Sequence, residues 1–146
     1  MQRTDSDPMS PPASNDRLRF AEFSLERLPN GRCRSRVLLT WLETERFTGE
    51  SEGLASQAGE LRCAAQACVN ALTQAVQDGM GFELLGVKAV RAFDANVVIV
   101  SLALRGEGGG QRVVGSFLSD TDAPRGAALA VLNATNRVLG NKFFMR

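Results

Sequence analysis

Two short stretches hold the residue types best suited to ligand chemistry. Gly53, Ala55 and Ser56 lie just ahead of one Ala-rich segment of helical apolar period, and Asp120, Thr121, Asp122 and Ala123 lie just ahead of another. A helix start presents unpaired backbone N–H groups and a partial positive charge, which suit a carboxylate or a phosphate. Small residues let a ligand approach that backbone closely. Asp120 and Asp122 would repel an anion and favour a ligand ammonium. Gly53, Ala55, Ser56, Asp120, Asp122 and Ala123 are therefore the candidate ligand-binding residues. If the two loops adjoin, they form one pocket. Ordinary capping and turn chemistry is the competing account of each residue.

No catalytic constellation accompanies them. The chain has no histidine, which removes the commonest general base and the commonest metal ligand. No carboxylate pair is marked by its spacing. The expectation is a protein that is not an enzyme, with no catalytic residues, no metal and no cofactor. The three cysteines form no CxxC pair. Cys63 and Cys68 sit on one predicted helix with side chains too divergent to bridge, and buried structural thiols are expected at all three positions. The run Gly106–Gly110 (GEGGG) lacks the Gly-Lys-Ser/Thr ending of a phosphate loop and joins two strands, so it reads as a flexible hairpin. Trp41 reads as a core or interface anchor.

The whole chain bounds what these residues can serve. Its 146 residues fit one domain with a core of its own. The net charge of +1 gives no electrostatic footprint for nucleic acid. No apolar run approaches the ~20 residues of a membrane span. The opening MQRTDSDPMSPPASNDR lacks the apolar segment of a secretory signal, so the expected location is the cytoplasm. Residues 1–18, with Pro8, Pro11 and Pro12 in a polar setting, read as a disordered tail. Residues 19–146 read as a single domain.

Within that domain the elements follow a repeating order. Phe20–Leu28, Arg36–Glu43 and Arg46–Glu52 read as strands, with Pro29-Asn30-Gly31 as a turn and Gly49 as a bulge or a close approach. Leu61, Ala64, Ala65, Cys68, Leu72, Ala75 and Val76 recur with a period near 3.6, a helix that ends near Gln77–Gly79. Strands follow at Phe82–Phe93, Val97–Leu104 and Arg112–Leu118, with Asp94-Ala95-Asn96 as a turn. A second helix places Ala128, Val131, Leu132, Thr135, Val138 and Leu139 on one face and stops at Gly140. The order is β-β-β-α twice, about residues 20–79 and 82–140.

The two halves also share residues. RCAAQACVNAL from Arg62 and RGAALAVLNAT from Arg125 agree at Arg62/Arg125, Asn70/Asn133 and four alanines, 63 residues apart. Phe23–Leu25 aligns with Phe82–Leu84, Val37–Leu42 with Val97–Leu102, and Arg46–Gly49 with Arg112–Gly115, at offsets of 59, 60 and 66. Asn70 and Asn133 are poor helix-interior residues, so each is expected to make a structural hydrogen bond, to loop backbone or to the other. Arg62 and Arg125 are expected on solvated faces, near a carboxylate such as Glu60 or Asp122.

This order, with Asp94-Ala95 ahead of a β run, a glycine-marked strand at Gly115 and an Ala-rich helix ending Asn133-Ala134-Thr135-Asn136-Arg137, resembles the C-terminal regulatory (dimerisation) domain of the alpha-isopropylmalate synthase and citramalate synthase family. The resemblance covers about residues 20–140. The first unit departs from it: Glu52–Ala58 has the small-residue character but not the family's Gly-Pro-Val-Asp-Ala motif. The resemblance implies an allosteric, stand-alone domain, without the histidine-bearing synthase barrel, that binds an amino-acid-like metabolite near a dimer interface. The expected fold is α+β: a duplicated βββα unit, two three-stranded antiparallel sheets each backed by a helix, with pseudo-twofold symmetry. The expected partners are a second copy in a homodimer and an amino-acid-like small molecule or a partner enzyme, with no nucleic acid and no membrane. The alternative is a protein–protein interaction module without a small-molecule ligand.

Overall fold

The computed structural model describes residues 17–76, 79–106 and 110–139, without the side chains of 137–139. Strands β1 (Arg19–Leu28), β2 (Arg32–Trp41) and β3 (Glu45–Leu54) form one antiparallel sheet in that order, followed by helix α1 (Gln57–Ala75). Strands β4 (Gly81–Ala92), β5 (Ala95–Arg105) and β6 (Arg112–Leu118) form a second, followed by helix α2 (Ala123–Leu139). The duplicated βββα architecture expected from sequence is the observed one. The predicted tail at 1–16, the loop glycines 108 and 109, and the segment from Gly140 onward lie outside the described residues. Leu18, counted with the tail on sequence, is buried in the core.

Alternation decides which strand face meets a helix. In β2 the residues Cys33, Ser35, Val37 and Leu39 are fully buried, and in β5 so are Val98, Val100 and Leu102. Each helix lies across its own sheet, against the other helix and against the first strand of the other unit, so α1 reaches β4 and α2 reaches β1. That triple coverage explains why alanine dominates both helices. Ala64, Ala65, Ala67, Ala71, Ala127, Ala128, Ala130 and Ala134 have no exposed surface, and larger side chains would hold the layers apart.

One tight approach recurs in both units. A Cβ on Gly49 would collide with the Ala67 carbonyl oxygen and the Ala71 backbone. A Cβ on Gly115 would collide with the Ala130 carbonyl oxygen and with Ala134. Gly49 is thus the close approach rather than a bulge. Gly49 pairs with Val37, and Gly115 with Val100. These contacts fix the residue correspondence between the units and correct the sequence alignment of the strands. Val37 corresponds to Val100, 63 residues apart, not 60. The bulges between Phe20 and Glu22 and between Leu84 and Gly86 coincide at an offset of 64, not 59. A nearly continuous apolar run such as VVIVSLAL has no alternation to anchor it and matches another apolar strand at several registers, which is why the sequence alone misregistered β1 and β2. The offsets of 66 for β3/β6 and 63 for the helices stand.

One turn also moves. The tip between β4 and β5 is Phe93-Asp94, both with left-handed φ (54° and 62°), and Asn96 already pairs with Arg91 inside the sheet. The sequence placed this turn at Asp94-Ala95-Asn96 and Phe93 in the strand. The Leu42-Glu43 tip between β2 and β3 has the same geometry (56° and 64°). The β4–β5 connection is a two-residue hairpin of the twist-matching kind, and the β2–β3 connection has one residue more, Thr44, before Trp41 pairs with Glu45; both are built without the usual Asn-Gly.

Candidate functional site

The first unit concentrates its polar chemistry where β3 runs into α1. Ser56 caps α1, accepting a hydrogen bond from the Gly59 N–H at 3.0 Å. The Ala55 N–H donates to the Gly31 carbonyl at 2.8 Å, tying the entry of α1 to the Pro29–Gly31 turn. Glu60, buried in the first turn, receives two hydrogen bonds from Arg27, at 2.7 and 3.1 Å. That pairing, by hydrogen bond first and by charge second, holds the Arg27 guanidinium above its ordinary value. An acidic residue here also complements the helix dipole.

Beside this ion pair lie two thiols that no pattern in the sequence links. Cys33 on β2 and Cys63 on α1 are buried. The Cys63 thiol donates to the Ser51 carbonyl at 3.1 Å and lies 3.9 Å from the Cys33 carbonyl, while the Cys33 thiol donates to the Leu54 carbonyl at 3.4 Å. Burial first, and then the hydrogen bond with the Cys63 thiol, push the Cys33 thiol up to about 11. All three cysteines are free. No spacing motif links residues 33 and 63; only the strand-to-helix packing does.

A cavity of about 320 Å³ opens over the same region, lined by Ser51, Glu52, Gly53, Leu54, Gly59, Arg62, Cys63 and Gln66. Arg62 and Gln66 give it one cation and one amide, and Glu52 stands at its rim with the carboxylate on the outer face of the sheet. Glu52 receives the Arg34 guanidinium at 2.8 and 3.0 Å, and Gln66 donates to the Asn70 side-chain carbonyl at 3.0 Å. Gly53 offers no obstruction, since a Cβ there would make only ordinary contact with Cys63 and Gly59.

Of the residues proposed from sequence, Gly53 lines this cavity and Ala55 and Ser56 stand at its helix entrance in turn and capping roles. Asp122 caps α2, its carboxylate accepting from the Arg125 N–H at 3.1 Å. The Asp120 carboxylate accepts from the Asn96 N–H at 3.4 Å, and Ala123 is the first residue of α2. The hydrogen bonds described at each loop stay inside its own βββα unit, and no described cavity holds members of both loops.

The repeated arginines and asparagines find unexpected partners. Arg62 donates to the Leu84 carbonyl of β4 at 3.4 Å. The Arg125 guanidinium stands 5.3 Å from the centre of the Phe20 ring of β1, and Phe20 and Leu84 are equivalent positions. Each arginine therefore crosses to the opposite unit. The expected carboxylate partners are corrected, because Glu60 is taken by Arg27 and Asp122 by the helix backbone. Asn70 donates to the Glu50 carbonyl at 2.7 Å, and Asn133 to the equivalent Ser116 carbonyl at 3.4 Å. These are structural bonds as expected, although the acceptor is strand backbone. Trp41 packs at the margin of the core, its indole N–H buried without a hydrogen-bond partner.

Among the described residues, no group of three or more Cys, Asp or Glu is placed to hold a metal, and no helix is long and apolar enough to cross a membrane. No protein-family model matches the chain, and no curated protein matches it significantly.

Proposed function

We propose that this chain is a non-enzymatic regulatory and oligomerisation domain that takes a zwitterionic, amino-acid-like metabolite beside the start of α1. The observation that carries this reading is the cavity of about 320 Å³ over Gly53, lined by Arg62 and Gln66 from the first turns of α1. That volume lies at the lower end of small-molecule sites. Arg62 would meet a carboxylate, the Gln66 side-chain carbonyl an ammonium, and Leu54 an apolar side chain. The resemblance to the isopropylmalate synthase regulatory domain supports the same ligand class, and the lack of any histidine supports a role without catalysis. Three free thiols suit a reducing compartment such as the cytoplasm. In a thermal-shift screen of the common amino acids at millimolar concentration, at least one should raise the melting temperature, and Arg62→Gln should abolish that rise. A flat screen would remove the ligand.

A second reading, a protein–protein module without a small molecule, is favoured by the exposure of Phe93, Val114 and Leu118 on the second unit.

A further inference from the structure

The two sheets carry opposite chemistry on the faces turned away from the helices. In the first sheet Glu26, Arg34 and Glu52 lie side by side across the three strands. Arg34 meets Glu52 at 2.8 Å and Glu26 at 3.8 Å, and in the next row Arg36 meets Glu50 at 3.7 Å. The equivalent row of the second sheet is Val90, Val97 and Leu118. The row after it replaces Ser24, Arg36 and Glu50 with Lys88, Ile99 and Ser116. Val114, exposed by half, stands where the first unit has Thr48. The central strand carries no charge from Ala95 to Leu104.

The geometry points to the outer face of the β4-β5-β6 sheet as the surface on which a second copy of this chain docks, sheet against sheet. The assignment rests on the oligomerisation half of the function proposed above and gives it a location. The first unit shows that this scaffold supports a charged, solvated outer face, so the apolar row in the second is not demanded by the fold. Area also favours a second copy. With strands about 4.8 Å apart and about 3.3 Å per residue, the face around the 11-residue β5 has a footprint on the order of 500 Å². Two copies face to face cover on the order of 1,000 Å², the size a specific interface needs to reach. A face that is apolar along its central strand, with Lys88 on an edge strand and Arg112 and the Arg105–Glu83 pair (3.5 Å) toward one end, can meet a second copy of itself under a twofold axis.

Sedimentation velocity on the full chain across 1–200 µM (a range set by roughly micromolar affinity) tests this. The expected result is a concentration-dependent dimer. The triple substitution Val90→Glu, Val97→Arg and Leu118→Glu, which transplants the Glu26–Arg34–Glu52 row, should leave a folded monomer with the dissociation constant raised at least about 100-fold. Val114→Lys, a single change at an exposed site, gives the same test should the triple variant not fold, and Thr48→Lys on the other sheet should leave the dimer intact. A wild-type dimer that both second-sheet variants leave unchanged overturns the assignment while sparing the oligomerisation reading. A wild-type chain that is monomeric throughout overturns both, and leaves the face to a segment outside the described residues or to a different protein.

Discussion

Gly49 and Gly115 hold their helices equally close, each strand backbone seated against two alanines of the following helix. In the same two sheets, Arg34 and Val97 occupy equivalent places on the opposite face and share no chemistry. Between these extremes the match is graded. Asn70 and Asn133 make the same bond at 2.7 and 3.4 Å. Arg27 has the buried Glu60 as its partner, while its equivalent Arg91 reaches the Asn96 side chain at 3.4 Å, and Ala123 stands where Glu60 would be. The cysteines occur only in the first unit. The difference separates two kinds of constraint. Where backbone meets backbone, both copies keep the residue that fits. Where a side chain meets solvent or a ligand, each copy has its own solution.

The glycine seams are where that distinction breaks most visibly. Gly49→Ala and Gly115→Ala should each cost at least ~3 kcal/mol, since the new methyl meets a carbonyl oxygen that the helix cannot withdraw. Urea melts should show similar losses for both, and a large loss for only one would end the equivalence of the seams. Gly86→Ala, where a Cβ meets nothing, is the control.

A smaller effect separates the units by pH. Burial pushes the Cys68 thiol far up, and the Cys33 thiol rises to about 11. In the unfolded chain both ionise near ~8.5. Above that pH the unfolded state gives up protons that the folded state keeps, so stability is full below ~8.5 and falls toward 11, by at most ~1.4 kcal/mol per pH unit per thiol. Urea midpoints from pH 8 to 10.5 should decline, and Cys33→Ala with Cys68→Ala should flatten the slope. An unchanged slope in the double variant would remove the thiols as its source.

The smallest contrast is between the asparagines. Asn70→Ala should cost about 1 kcal/mol and Asn133→Ala about half that, in the order of their hydrogen-bond lengths. Equal losses would show that the longer bond is no weaker in solution.

The element order, the helix periods and the twofold plan were legible because apolar periodicity and glycine punctuation are local signals. Asn70 and Asn133 betrayed the repeat because asparagine is out of place inside a helix. The strand register was not legible: VVIVSLAL is apolar at nearly every position and gives no alternation to anchor an alignment, and only the glycine that touches the helix fixes it. The site was legible in part. Gly53 was visible as a small residue before a helix. The Cys33–Cys63 contact and the Arg27–Glu60 pair were not, since each joins residues about 30 apart through packing that no spacing rule encodes. The charged and apolar outer faces could be told apart only once register assigned each side chain to a side.

Each helix borrows cover from the other unit's first strand, with Arg62 fastened to β4 and Arg125 lying over β1. A single βββα unit on its own would leave an alanine-lined helix flank bare to water, with too little side chain there to shield its backbone. The smallest self-sufficient version of this architecture is therefore a pair.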